Sequence, residues 1–354
     1  MVVIDSHAHI FPFLGGASGY SSVSEHLAVC QRAMHEHLAQ PARRAEDNAP
    51  VKKELWDPND SSLKGKKQVE FRVGQFGRFE WNQDGAECYI QYLPPYLEHM
   101  ACPPGLLAAM MDYAGIEKAV LQCGAVYGRL NYYYAMVMDE FPTLRGRFLP
   151  LAQVDERHAY EEPELKRLEH AIKHMGLRGL WFAADKSSFG PEYQCFWKAV
   201  EEMNIPVFLL FYPEKKTWLS SLKLLEPWIE AYPKITCVLP QAFPLSTVEY
   251  NDEIEIPDFA KRIINAGHLY IEVCYPIGRG RVEDYPFPVS RKAVEKLYDV
   301  FGPAKLVWGS DIPMVERYCT YAQSLKYLTS YCKFIPEKDM ELIVGKNLAK
   351  IFGL

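Results

Sequence analysis

From Pro103 to its end the chain alternates two hydrophobic patterns. Stretches with apolar residues at helical spacing, at 106–113, 132–141, 163–175, 193–203, 218–232, 257–266 and 290–300, each lead into a short apolar run. Those runs fall at 118–122, 147–154, 177–181, 206–210, 235–239, 269–273 and 305–308, and they read as buried parallel strands, which show continuous rather than alternating apolarity. With the apolar start at 2–5, the pattern predicts eight strands. Two further helices, 318–328 and 337–352, close the chain.

Eight short strands separated by helices are what a closed α/β barrel of the (β/α)8 TIM type requires, because parallel strands need long crossovers. No glycine-rich phosphate turn follows the first strand, which argues against an open doubly wound sheet. Between His9 and about residue 100 the periodicity is lost. Residues 12–100 are therefore expected to form an inserted lid or hairpin region after strand one of a single barrel domain spanning 1–354. Within that stretch 24–38 has the pattern of a helix, and 69–81 alternates around Gly74 and Gly77 as a hairpin does.

The chemistry enters at Ile4-Asp5-Ser6-His7-Ala8-His9. On a strand, residues i and i+2 face the same way, so His7 and His9 can offer two imidazoles to one point, a metal-ligand arrangement. Asp311 follows strand eight in Trp308-Gly309-Ser310-Asp311-Ile312-Pro313. Functional side chains in such barrels project from the C-terminal strand ends, and strands one and eight become neighbours on closure. His7, His9 and Asp311 are thus expected to converge.

Composition narrows the partners. Of 354 residues, 49% are hydrophobic and 24% charged, an ordinary globular balance. The net charge of −6, without a block of one sign, excludes a nucleic-acid groove or an anionic membrane surface as the main partner and favours a small-molecule substrate. Nine scattered cysteines with no C-x-x-C pair read as reduced, mostly buried thiols. There is no basic-then-apolar leader ahead of Val2 and no apolar run near the ~20 residues that span a bilayer. A cytoplasmic protein is the expectation.

These residues resemble the amidohydrolase superfamily, and within it the amidohydrolase-related (type 2) branch that includes aminocarboxymuconate-semialdehyde decarboxylase and the hydroxybenzoate decarboxylases. The likeness rests on Ile4-Asp5-Ser6-His7-Ala8-His9, Gly176-Leu177-Arg178-Gly179-Leu180, Leu306-Val307-Trp308-Gly309-Ser310-Asp311-Ile312-Pro313 and the ending Val344-Gly345-Lys346-Asn347-Leu348-Ala349-Lys350-Ile351-Phe352. It implies one divalent metal, zinc first and iron or manganese next, held by His7, His9 and Asp311. That metal would serve hydrolysis or non-oxidative decarboxylation of a small carboxylated or amide-bearing substrate. Asp311 would be both ligand and proton-handling catalytic group.

The family's strand-five and strand-six histidines are missing. Leu210 and Pro240 are read at those positions. Replacements are sought in His26, His35, His37 and Glu80 from the insertion, and in Asp155, Asp185, Glu214 and Glu272 at strand ends. His35 and His37 also read as solvent-facing, and Asp155 as a helix cap. Arg279, Arg281 and Arg129 are candidates to clamp a substrate carboxylate, whereas Tyr132, Tyr133 and Tyr134 read as packing residues on a helix. The losses leave two other readings open: an oxygen-activating di-metal monooxygenase with iron or manganese, and a degenerate subunit paired with an active paralogue. A homo-oligomer, or a hetero-oligomer with such a paralogue, is the expected assembly.

Overall fold

Parallel strands of a barrel core are buried on both faces, and here they are mostly apolar, with Asp5, Ser6, His7 and Glu272 as buried polar exceptions. The computed structural model describes residues 2–37, 40–57, 59–60, 62–211, 218–244, 249–250, 253–273 and 283–354. Eight parallel strands form the core: β1 (Ile4–Ala8), β2 (Lys118–Leu121), β3 (Phe148–Pro150), β4 (Leu180–Ala183), β5 (Val207–Leu210), β6 (Cys237–Leu239), β7 (Leu269–Val273) and β8 (Leu306–Trp308). β1, β2 and β3 form one parallel sheet, and β4 to β8 pair in order in a second. Isolated parallel bridges run from Ala152 to Leu180 and from Ala8 to Ile312, between the two sheets. The fold is the expected (β/α)8 TIM barrel.

Boundaries differ where local chemistry overrides periodicity. The segment expected as one helix over 218–232 forms two, Trp218–Leu222 and Leu225–Ala231. Pro227 has no N–H for the carbonyl four residues earlier, so one continuous helix cannot pass through it. The helix expected from 318 begins at Tyr321, because Thr320 caps it and Gln323 returns the hydrogen bond as a capping box. The last segment, expected as one helix over 337–352, contains a π turn at Leu342–Lys346. No helix among the described residues is long and apolar enough to cross a membrane. Among them eight cysteines are free and all but Cys195 are buried.

The chain divides into two compact units. The barrel unit comprises residues 1–8, 109–122 and 134–354, and the other comprises 9–108 and 123–133. In the second unit Ser22 caps the helix Val23–Glu36. An antiparallel sheet follows, in the order Pro50–Val51, Ala42–Arg44, Ala86–Gln91, Arg78–Gln83, Arg72–Val73. The hairpin expected at 69–81 is its last pair, with Arg72 opposite Glu80 and Val73 opposite Phe79. Phe11 and Cys102 exchange both backbone hydrogen bonds at 3.0 Å, so the long excursion between them leaves and returns at one point.

Candidate metal centre

Strand β1 carries Asp5, Ser6 and His7, all buried, into an otherwise apolar core. Buried polar groups must find partners, and these do. The Asp5 carboxylate accepts from His7 N at 2.9 Å, Ser310 N at 2.9 Å, Ser310 Oγ at 2.5 Å and Tyr321 Oη at 2.7 Å. Burial raises its pKa to about 6, against the pull of those hydrogen bonds. The knot ties β1 to the turn after β8, where Asp311 N also donates to His7 O at 2.8 Å. Asp311 lies in the left-handed region at φ 63°, a conformation that aspartate tolerates better than most residues.

The strand is not regular. Three residues of β1 advance between Asp5 and Ala8 while β2 advances two, from Ala119 to Leu121. His7 is inside the strand and His9 follows its last residue, so strict alternation on one strand does not account for their meeting. Even so, His7, His9 and Asp311, all buried, each offer one ligand atom within 4.8 Å of the others. His7 Nε2 lies 3.5 Å from Asp311 Oδ1. Two ligands about 2.0–2.1 Å from one tetrahedral ion stand about 3.3 Å apart, so this pair fits a single divalent cation, and two imidazoles with one carboxylate are a donor set for zinc, iron or manganese. His9 also packs its ring against Tyr127, centroid to centroid at 4.6 Å.

The other ring nitrogen of His7 faces Glu272, with Nδ1 2.9 Å from Oε2. Glu272, on β7, also accepts from Ser6 Oγ at 2.7 Å, Gln122 Nε2 at 3.0 Å and Gln241 N at 2.9 Å. It is not in the converging trio but binds one of its members. Burial drags the His7 pKa down, while the charges of Glu272 and Asp311 and the Glu272 hydrogen bond outweigh it and raise it to about 9. Gly309 lets these groups meet: a Cβ there would stand 2.4 Å from Ser6 Oγ and 2.9 Å from Glu272 Oε1.

At the end of β6 the side chain that reaches the site belongs to Gln241, one residue beyond the Pro240 singled out from the sequence. Its φ of 51° turns the backbone into the left-handed region, and Nε2 donates to Asp311 Oδ2 at 3.1 Å. Gln122 is braced in turn, since Tyr134 Oη donates to its carbonyl at 2.8 Å. Sequence reasoning missed Ser6, Gln122, Gln241 and Ser310 in these roles. Their one visible signal is position: Ser6 lies inside β1, and Gln122, Gln241 and Ser310 follow strand ends by one or two residues.

The proposed replacements lie elsewhere. His26 is fully buried with its ring nitrogens 2.7 Å from Gly16 O and 2.9 Å from Val126 O. His35 and His37 are half-buried rather than solvent-facing. Burial and nearby Lys53 lower the His35 pKa. Glu80 pairs with Arg72 at 3.2 Å. Asp155 caps the short turn Glu156–His158 through Arg157 N, and Asp185 accepts from Ser187 N ahead of the turn Ser187–Phe189. Arg129 holds its guanidinium over the Tyr20 ring, 5.4 Å from the centroid. Glu214, Arg279 and Arg281 lie outside the described residues.

A family model described as amidohydrolase matches residues 4–354. The chain belongs to the amidohydrolase family. No curated protein matches this amidohydrolase by sequence. Solved structures share its fold at low identity. A probable 2-pyrone-4,6-dicarboxylic acid hydrolase from Acinetobacter baumannii with citric acid bound is 17% identical over 100% of both chains, with a TM-score of 0.58. A TIM-barrel protein from Bordetella bronchiseptica is 14% identical over 100% of this chain and 99% of its own, with a TM-score of 0.57. A dihydroxybenzoic acid decarboxylase from a Polaromonas species, with manganese and the inhibitor 2-nitroresorcinol, is 15% identical over 72% of this chain and 87% of its own, with a TM-score of 0.54. The amidohydrolase family and its fold neighbours thus include hydrolases and decarboxylases.

Proposed function

We propose that the protein is a metal-dependent hydrolase or non-oxidative decarboxylase acting on a small carboxylated or amide-bearing molecule. The observation that carries this reading is the buried convergence of His7, His9 and Asp311. The hydrolase and decarboxylase neighbours support the reaction classes. A divalent ion held by these three, zinc first and iron or manganese next, supplies Lewis acidity toward a substrate oxygen or a bound water.

The chain's own groups do the rest. Asp5 and Ser310 lock β1 against the turn that carries Asp311, so the ligands from the two ends of the chain hold their spacing. Gln241 donates to Asp311 Oδ2, which fixes the carboxylate plane and leaves Oδ1 toward His7. Asp311 is assigned the proton-handling role, and Arg129, Arg279 and Arg281 are assigned to a substrate carboxylate.

The test is metal content together with turnover. Purified protein is expected to carry or take up one divalent ion per chain, and His7→Ala and His9→Ala to lose it and all activity on aromatic carboxylates and lactones while staying folded. Wild-type protein that takes up neither zinc, manganese nor iron would overturn the reading.

A further inference from the structure

Glu272 stands in the barrel interior with 1% of its surface exposed. A buried carboxylate is costly unless its oxygens are well satisfied. Here each oxygen has two partners: Ser6 Oγ and Gln122 Nε2 at Oε1, His7 Nδ1 and Gln241 N at Oε2. Those partners come from β1, from the residue after β2 and from the turn after β6. The carboxylate therefore cannot rotate without breaking contacts to several parts of the ring at once.

Two of the four partners have fixed protons. The Gln241 N–H is donor-only, and the Gln122 amide is held the same way round because its Nε2 also donates to Ser6 O at 2.8 Å. Glu272 Oε2 accepts from Gln241 N, and the His7 nitrogen that faces the same oxygen is read as its second N–H donor. Nε2, on the opposite side of the ring, faces Asp311 Oδ1 and is one of the converging ligand atoms. Two carboxylates, Asp311 and Glu272, also balance the charge of a dication among neutral imidazoles, which matters among buried groups.

We infer that Glu272 is a positioning residue for the metal centre: it keeps the His7 proton on Nδ1 and so presents Nε2 as a lone pair to the ion. The inference rests on the metal-dependent reading above and adds to it a partner that is itself no ligand. Orienting carboxylates of this kind are worth about 10–100-fold in metal affinity where they have been removed.

The experiment is a zinc(II) titration of the full chain against a chromophoric chelator, with manganese(II) in parallel, for wild type, Glu272→Gln and Glu272→Asp. It is joined by 15N-edited NMR of the imidazoles in zinc-loaded wild type. Glu272→Gln is expected to bind zinc at least tenfold more weakly, Glu272→Asp to recover part of the loss, and His7 to show a protonated Nδ1 with the metal on Nε2. Folded Glu272→Gln binding zinc within twofold of wild type overturns the inference, as does a zinc-loaded wild type with the His7 proton on Nε2. Should Glu272→Gln fail to fold, the NMR and the aspartate variant decide. A wild type that binds neither metal fails the metal-dependent reading itself, and this inference with it.

Discussion

Ser310 gives Asp5 both its backbone N–H and its hydroxyl, at 2.9 and 2.5 Å, and so joins the first strand of the barrel to the turn after the last. Parallel strands gain less per pair than antiparallel ones, and β1 meets that turn by a single isolated bridge, Ala8 with Ile312. Side-chain hydrogen bonds carry the closure at this seam. Asp5→Ala would strand three buried donors, His7 N, Ser310 N and Tyr321 Oη, each worth about 1–3 kcal/mol when left unmade, while the Ser310 hydroxyl keeps His7 O at 3.1 Å. We expect a loss of more than about 3 kcal/mol in chemical denaturation. A variant as stable as wild type would show that the seam is held by something else.

Gly309 is the tightest point beside the site. A methyl group there collides with Ser6 Oγ and the Glu272 carboxylate. Gly309→Ala is expected to cost about 1–3 kcal/mol of stability, the usual range for overpacking a closed core. It should also weaken metal binding, because the displaced groups are those that hold His7. Thermal melting with and without zinc measures both effects; a metal shift in Tm equal to that of wild type would separate packing from ligand orientation.

The stability of metal-free protein should depend on pH through His7. Its folded pKa of about 9 lies above the ordinary 6.5, so the folded state holds that proton more tightly than the unfolded chain does. The contribution is complete below about 6.5 and disappears as pH rises through 9, on the order of 3 kcal/mol at most. Tm of chelator-treated protein is expected to fall across that interval, and His7→Gln to flatten the difference. Equal slopes for the two proteins would remove His7 as the source.

Much of this was legible in the sequence. Eight short runs separated by helical ones marked the barrel strands, and two histidines near one strand end with an aspartate after the last strand marked the three residues that converge. Glu272 was conspicuous as an acid inside Leu269-Tyr270-Ile271-Glu272-Val273, yet ligand and ligand-holder look alike until distances separate them. Gln241 was not singled out, because a left-handed turn after a strand end decides which side chain points inward and leaves no periodic trace. The small antiparallel sheet was half visible. Its hairpin alternates, but the strand at 42–44 is too short to show a period and owes its place to pairing with Ala86–Gln91.

The reciprocal pair between Phe11 and Cys102 gives the intervening stretch a property of its own. Residues that exchange both hydrogen bonds across an antiparallel pair have Cα atoms about 5.5 Å apart, a gap that a tight turn can span. The ninety residues between them could therefore be excised and replaced by a two-residue link without pulling on either flank. A change in the length of this stretch would therefore leave the course of the strand before it unaltered.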